Sequence, residues 1–167
     1  MKRVVVMVGL WVLLLVLQLS FLASLPAPWL FIPIVAAASI YLVQHHGLLT
    51  AAWWLPAYGF FLDLFHIGTV PWETVIYSIA GVFTVLLARR IFSNRSLYGI
   101  AACGILILGT ILLLEAIAQF WQARADILLS DLLWDDLWQL LFLIITLIIL
   151  FMVAPRLRNW IRLYERL

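Results

Sequence analysis

Long apolar runs, separated only by short polar or proline-containing breaks, make up most of this chain. A helix needs about 20 mostly apolar residues to cross a bilayer, so six such helices would use about 120 residues. The chain has 167 residues, of which 67% are hydrophobic and only 11% are charged. A soluble domain is about half apolar and about one quarter charged. The composition therefore excludes a soluble enzyme and predicts an all-α integral membrane protein without an extramembrane domain.

The breaks divide the chain into six runs, and we predict that each run forms a transmembrane helix. None of the runs alternates strictly between apolar and polar residues, which favours helices over strands. Pro71 suits the start of the fourth helix, and we expect Pro155 to end the sixth. The six predicted helices cover about 4–22, 29–43, 48–65, 72–88, 97–121 and part of 127–154.

The positions of the basic residues predict the orientation. With a cytoplasmic N-terminus and six crossings, nine of the ten Lys and Arg residues fall on the inner side and only Arg124 falls outside. Lys and Arg are enriched on the cytoplasmic side of membrane proteins, so we predict that both termini are cytoplasmic. The basic charge is thereby explained by the membrane, without a nucleic-acid partner. The nine inner residues are Lys2, Arg3, Arg89, Arg90, Arg95, Arg156, Arg158, Arg162 and Arg166.

We divide the chain into a six-helix transmembrane domain, 1–155, and a basic amphipathic cytoplasmic tail, 156–167. In the tail, Arg158 and Arg162 are four residues apart and alternate with apolar residues at helical spacing. This pattern fits a short helix on the inner leaflet, a solvated basic tail, or a docking site for a cytoplasmic partner. The run 127–154 would measure about 42 Å as one helix, against a hydrocarbon core of about 30 Å. Its acidic first part, 128–138, is therefore predicted at or above the outer interface.

Two carboxyl groups within the predicted spans are candidate functional residues. Carboxyl groups inside a membrane are costly and usually have a partner or a task. Asp63 lies near the outer end of the third span, where a structural role and a ligand- or ion-binding role are both open. Glu115 lies two turns before Trp121. We expect Glu115 to make a polar contact within the bundle or with a partner helix, for example with Gln119 or His66; a proton relay is the other interpretation.

The remaining motifs indicate packing rather than chemistry. Ala80, Thr84 and Ala88 form a stripe of small residues at helical spacing in the fourth span. Such stripes let helices approach closely, either inside one protein or between two membrane proteins. His45 and His46 are adjacent, so their rings diverge on a helix, and no catalytic constellation or phosphate-binding loop is present. We therefore predict no enzyme activity, no metal site and no cofactor.

One segment resembles the rod shape-determining protein MreD family. The resemblance rests on the string from Tyr58 to Leu64, which has the form Gly-x-x-x-Asp-Leu around Gly59 and Asp63, and on Gly68-Thr69 after it. A Tyr-containing apolar helix and the pair Arg89-Arg90 follow, as in that family. The size, the six-span hydropathy and the basic tail are also similar. One departure is Val70-Pro71-Trp72-Glu73, where members often carry a Leu-Gly pair.

The resemblance implies a non-catalytic protein of the bacterial inner membrane that helps to maintain rod shape by organising peptidoglycan synthesis. Its implied partners are the bitopic protein MreC, the actin-like filament MreB and the elongation glycosyltransferase and transpeptidase. Gly59 and Asp63 would be motif residues for structure or partner contact. The family resembles in fold the substrate-binding subunits of energy-coupling-factor transporters. The alternative is therefore a substrate-binding subunit of a vitamin-type transporter, with a polar pocket near Asp63, Trp72 and Glu73.

Overall fold

The computed structural model describes residues 2–65, 70–91, 96–121 and 129–164, and within these ranges the regular structure is helical. Side chains are described for these residues except at 2–4, 46, 119–120, 129–133 and 154–164. Short 3₁₀ turns at Leu22–Ser24, Trp29–Phe31 and Leu49–Trp53 and a π-turn at Leu17–Phe21 connect or extend the helices. The described ranges contain six α-helices: α1 (Lys2–Val16), α2 (Ile34–His46), α3 (Trp54–Phe65), α4 (Trp72–Arg90), α5 (Leu97–Trp121) and α6 (Leu129–Tyr164).

Among the described residues, four helical segments are long and apolar enough to cross a membrane, which confirms the prediction of an all-α membrane protein in its coarse form. They are Val5–Ser24, Trp72–Arg90, Leu97–Ala118 and Trp134–Val153. The second and third predicted spans differ, because α2 has 13 residues and α3 has 12. Helices of that length reach about 20 Å, less than the hydrocarbon core. The count of six crossings and the cytoplasmic position of both termini stay predictions.

The interruptions of the second and third runs have local causes. Pro33 separates a 3₁₀ turn from the first residue of α2. At its other end, α2 stops at Gly47, which adopts the left-handed conformation with φ of 67°. Glycine adopts this conformation without a steric penalty, and it is the usual C-terminal cap of a helix. The chain then passes through the turn Leu49–Trp53 directly into α3.

The short helix α2 lies at the centre of the bundle, where it contacts α3, α4, α5 and α6. Its side chains from Val35 to Tyr41 are all buried, including the hydroxyl-bearing Ser39, whose Oγ donates to the carbonyl of Ala51 at 2.7 Å. A helix that is apolar on all sides is expected to be enclosed by neighbours. α1 is far less buried than α2: most of its large apolar side chains are exposed at the edge of the bundle.

The prediction that the sixth helix ends at Pro155 is wrong. α6 continues from Leu129 through Pro155 to Tyr164. A proline removes one hydrogen bond from a helix, but long membrane helices tolerate this loss. The proposed domain boundary at 155 therefore falls within one continuous helix. The side chains of Arg158 and Arg162 lie outside the described part of the chain, and the location of the tail stays a prediction.

Candidate functional site

The two motif residues of α3 meet the first turns of α4. Gly59 and Asp63 are four residues apart, so they share one face of α3. A Cβ added to Gly59 would lie 2.5 Å from the carbonyl oxygen of Glu73 and 2.9 Å from the Cβ of Tyr77. The backbone of α4 therefore occupies the space that any larger residue at position 59 needs. Glycine is required here for the approach of two helices, since no left-handed conformation is involved.

Asp63 stabilises the contact between α3 and α4 that Gly59 permits. One oxygen of its carboxylate accepts the backbone N–H of Glu73 at 3.2 Å, and the other accepts the N–H of Thr74 at 2.7 Å. The Thr74 hydroxyl donates to the same second oxygen. The first N–H groups of a helix have no partner within it and attract negative charge. Asp63 thus caps α4 from a neighbouring helix. We name Gly59, Asp63, Glu73, Thr74 and Tyr77 the α3–α4 junction.

The cap from α3 compensates for a feature at the start of α4. Pro71 occupies the capping position, and it has no side-chain oxygen to offer. Serine, threonine, aspartate or asparagine usually fills that position and accepts the early N–H groups. Here the acceptor comes from Asp63 instead. Of the two roles that the sequence left open for Asp63, the structure favours the structural one, and Gly68-Thr69 lie outside the described residues.

A second polar contact connects the π-turn that follows α1 to α2 and α3 near the α3–α4 junction. The sequence analysis did not identify this contact. The Gln18 side chain donates to the Tyr58 hydroxyl at 2.9 Å and accepts the backbone N–H of Val35 at 2.8 Å. Gln18 lies in the π-turn Leu17–Phe21, a distortion that is common at functional sites. Tyr58 in turn packs edge-to-face on Tyr77 of the junction at 5.2 Å between ring centroids. The available signal was a lone amide in the apolar run 4–22.

Replacement of Gln18 by leucine is expected to lower the free energy of unfolding by about 1–2 kcal/mol. The substitution removes the acceptor of the Val35 N–H and the donor to Tyr58, and unpaired polar groups at buried positions cost about that much. The matched control is Gln139→Leu on α6, because Gln139 forms no hydrogen bond to the described residues. Thermal unfolding in detergent, followed by circular dichroism, measures both. Equal melting temperatures for the two variants would contradict the role of Gln18.

Glu115 lies half-buried on α5, and the described groups that act on it electrostatically are Glu73 and Asp136. Glu115 also acts on the tyrosines Tyr58 and Tyr77. The two partners that the sequence suggested for Glu115, His66 and the Gln119 side chain, lie outside the described residues. Across the described ranges, no three His, Cys, Asp or Glu side chains are grouped as metal ligands would be.

The stripe of small residues in α4 packs inside the bundle. Ala80 and Thr84 are completely buried, and the Thr84 hydroxyl donates to the Ala80 carbonyl at 2.7 Å. Ala80 belongs to the main core with residues of α2, α3, α5 and α6. Ala88, one turn further, packs against the second core cluster, which includes Ala51 and Trp54. Of the two interpretations that the sequence left open, internal packing therefore accounts for Ala80 and Thr84.

The α3–α4 junction is a structural element built from close backbone approach and helix capping. All the hydrogen bonds of Asp63 described above go to the first turn of α4, and the Ser78 hydroxyl extends the network by donating to the Thr74 carbonyl at 2.6 Å. Such an arrangement fixes the position of one helix on another. Comparison with known proteins finds no family model, no curated protein and no solved structure that matches this chain.

Proposed function

We propose that this chain is a non-catalytic membrane scaffold of the bacterial cell-elongation machinery, in the manner of the MreD family. The observation that carries the proposal is the use of the Gly-x-x-x-Asp motif. Gly59 and Asp63, on which the family resemblance rests, act together to hold α3 against α4. A scaffold binds its partners through the outer surfaces of its helices, so those helices must be held in fixed positions. The motif serves this purpose for α3 and α4.

The proposed partners are a bitopic membrane protein of the MreC type, the elongation glycosyltransferase and transpeptidase, and an MreB-type filament. The protein would lie in the inner membrane and position these partners for peptidoglycan synthesis. Its exposed apolar helices supply the contact surface, above all α1, whose large side chains are mostly exposed. In this role the protein catalyses no reaction and holds other proteins in position relative to one another.

The alternative, a substrate-binding transporter subunit, is less well supported. That function needs the side chains of Asp63, Trp72 and Glu73 to be free to line a polar pocket. Asp63 is occupied by the amides and the hydroxyl at the start of α4. Trp72 packs against the main hydrophobic core. Both observations favour the scaffold over the transporter subunit.

Depletion of the protein from its rod-shaped host is expected to make the cells round up over several generations. The measurement is the aspect ratio of the cells, together with labelling of new peptidoglycan. Resupply of the natural chain restores the rods, and resupply of Gly59→Leu does not, because leucine at this position cannot coexist with the backbone of α4. A tagged natural chain is expected to copurify with a single-span protein.

The matched control is Gly109→Leu, since a Cβ added at Gly109 would meet nothing within 4 Å and the position is exposed. This variant is expected to restore the rods, and immunoblots of membranes establish that each variant is present. Depleted cells that keep their shape and their pattern of wall insertion would refute the scaffold proposal. Rounded cells that lose uptake of a vitamin and recover when it is supplied in excess would support the transporter subunit instead.

A further inference from the structure

An open apolar groove runs between α4 and the segment that leads into α3. Its volume is about 470 Å³. Gly81 forms part of the floor, where an added Cβ would lie 2.9 Å from the carbonyl oxygen of Ala52, so the two segments are in close contact beneath the groove. We call this the Trp53 groove; its walls include Leu49, Trp53, Pro56, Val82 and Leu86.

The Trp53 groove faces the surroundings of the bundle rather than its interior. The Trp53 side chain is 74% exposed and Val82 is 64% exposed. α4 is one of the four helices long and apolar enough to span a membrane, and its 19 residues measure about 28 Å, close to the hydrocarbon thickness. The groove therefore opens toward the hydrocarbon, and the end of α4 lies at the level of the lipid headgroups.

A positive charge lies on the groove side of α4 at this end. Arg89 follows Val85 by four residues and Leu86 by three, so it continues the face of α4 that lines the groove. Arg90 is rotated by about 100° from Arg89 and follows Leu86 by four residues, so it lies at the edge of that face. Both arginines are exposed. Side chains of a helix lean toward its N-terminus, so that of Arg89 leans toward the groove.

The charge of Arg89 is available to an outside group. Among the described residues it forms no ion pair, and the acidic residues of α3 and α4, Asp63 and Glu73, are at the opposite ends of these antiparallel helices. A guanidinium group binds the oxygens of a phosphate through two parallel hydrogen bonds. Basic residues beside grooves between membrane helices are typical sites for anionic lipid headgroups.

We propose that the Trp53 groove binds an anionic phospholipid, with an acyl chain along Val82 and Leu86 and the phosphate at Arg89. The exposed charge of Arg89 at the end of the groove favours an anionic lipid over an apolar helix of another protein, because a phosphate supplies a counter-charge and such a helix does not. This proposal needs only the membrane location and is independent of the scaffold function.

The test is native mass spectrometry of the full chain in detergent, titrated with phosphatidylglycerol and, separately, with phosphatidylcholine of the same acyl chains. Phosphatidylglycerol is expected to bind several-fold more tightly. Arg89→Gln is expected to weaken its binding by about fivefold, the effect of one basic residue near a headgroup. Arg90→Gln, the matched comparison at the edge of the groove face, is expected to weaken it less than Arg89→Gln does.

A second pair of variants tests the groove itself. Val82→Trp places a large ring in the groove and is expected to reduce lipid binding, whereas Val75→Trp, on an exposed position of the same helix outside the groove, is not. All four substitutions are at exposed positions, so unchanged melting temperatures are expected. Equal affinities for the two lipids, or equal effects of Arg89→Gln and Arg90→Gln, would overturn the proposal. Dimers that Val82→Trp abolishes would overturn it in favour of a second copy of the chain.

Discussion

Replacement of Gly59 by alanine is expected to lower the free energy of unfolding by about 3 kcal/mol. The new methyl group would lie 2.5 Å from the carbonyl oxygen of Glu73 and 2.9 Å from its carbonyl carbon. Overpacking costs about 1–3 kcal/mol, and the upper end applies because backbone cannot rotate away as the end of a side chain can. α4 must move, and movement stretches the hydrogen bonds from its first turn to Asp63. In a chain of this size the melting temperature is expected to fall by about 6–12 °C.

Three other glycines provide matched controls for this substitution. Alanine at Gly9 or Gly109 would meet nothing within 4 Å. Both are in helices, where alanine is the better residue, so stability is expected to stay equal or to rise slightly. Alanine at Gly104 would meet the end of the Leu147 side chain at 2.6 Å, which can rotate, so an intermediate loss is expected. Thermal unfolding in detergent gives the melting temperature of each variant and so ranks their stabilities. If Gly59→Ala and Gly109→Ala have the same melting temperature, the close approach of α3 and α4 is absent.

The helical class of the protein could be predicted from the sequence because hydropathy depends on composition along one segment at a time. Four long apolar runs became long helices for this reason. The second and third runs did not, since their lengths depend on Pro33 and on the left-handed turn at Gly47, which shorten α2. α2 is instead stabilised by the neighbours that enclose it. Hydropathy alone does not distinguish a buried short helix from a crossing helix.

The candidate site was predictable in part. The spacing of Gly59 and Asp63 places them on one face of a helix, and this much follows from the sequence. The partner of that face, the first turn of α4, depends on tertiary packing. The partners of Gln18 could not be predicted either, because a single amide in an apolar run indicates a polar contact without identifying its partner. Val35 and Tyr58, which it bridges, are 17 and 40 residues away along the chain.

The junction also explains why its two motif residues belong together. Pro71 starts α4 without a side-chain cap, so the early N–H groups need an acceptor from elsewhere. Asp63 can serve only if the two helices are in contact, and they can be in contact only if position 59 lacks a side chain. Either residue alone would leave the start of α4 unsatisfied or displaced. The energetic consequence of losing the cap is the second large effect that we expect.

Replacement of Asp63 by alanine is expected to lower the free energy of unfolding by about 3 kcal/mol. The loss of a helix cap costs about 0.5–2 kcal/mol, and partly buried N–H groups without acceptors add to it. Here the N–H groups of Glu73 and Thr74 both lose their acceptor. Asp63→Asn keeps one accepting oxygen, so a smaller loss, about half as large, is expected. Asp135→Ala on α6 is the control, because Asp135 is exposed and such substitutions change stability by less than about 0.5 kcal/mol.

A double-mutant cycle separates the cap from a general effect of removing a carboxyl group. Thr74→Val removes only the hydroxyl that donates to Asp63 and leaves the backbone N–H in place. If the two side chains interact as the structure describes, Asp63→Ala and Thr74→Val together cost less than the sum of the single losses, by about 1 kcal/mol. The same cycle with Thr110→Val, whose hydroxyl donates to Leu106 on α5, is expected to be additive. Additivity in both cycles would mean that Asp63 stabilises the protein by a route other than the start of α4.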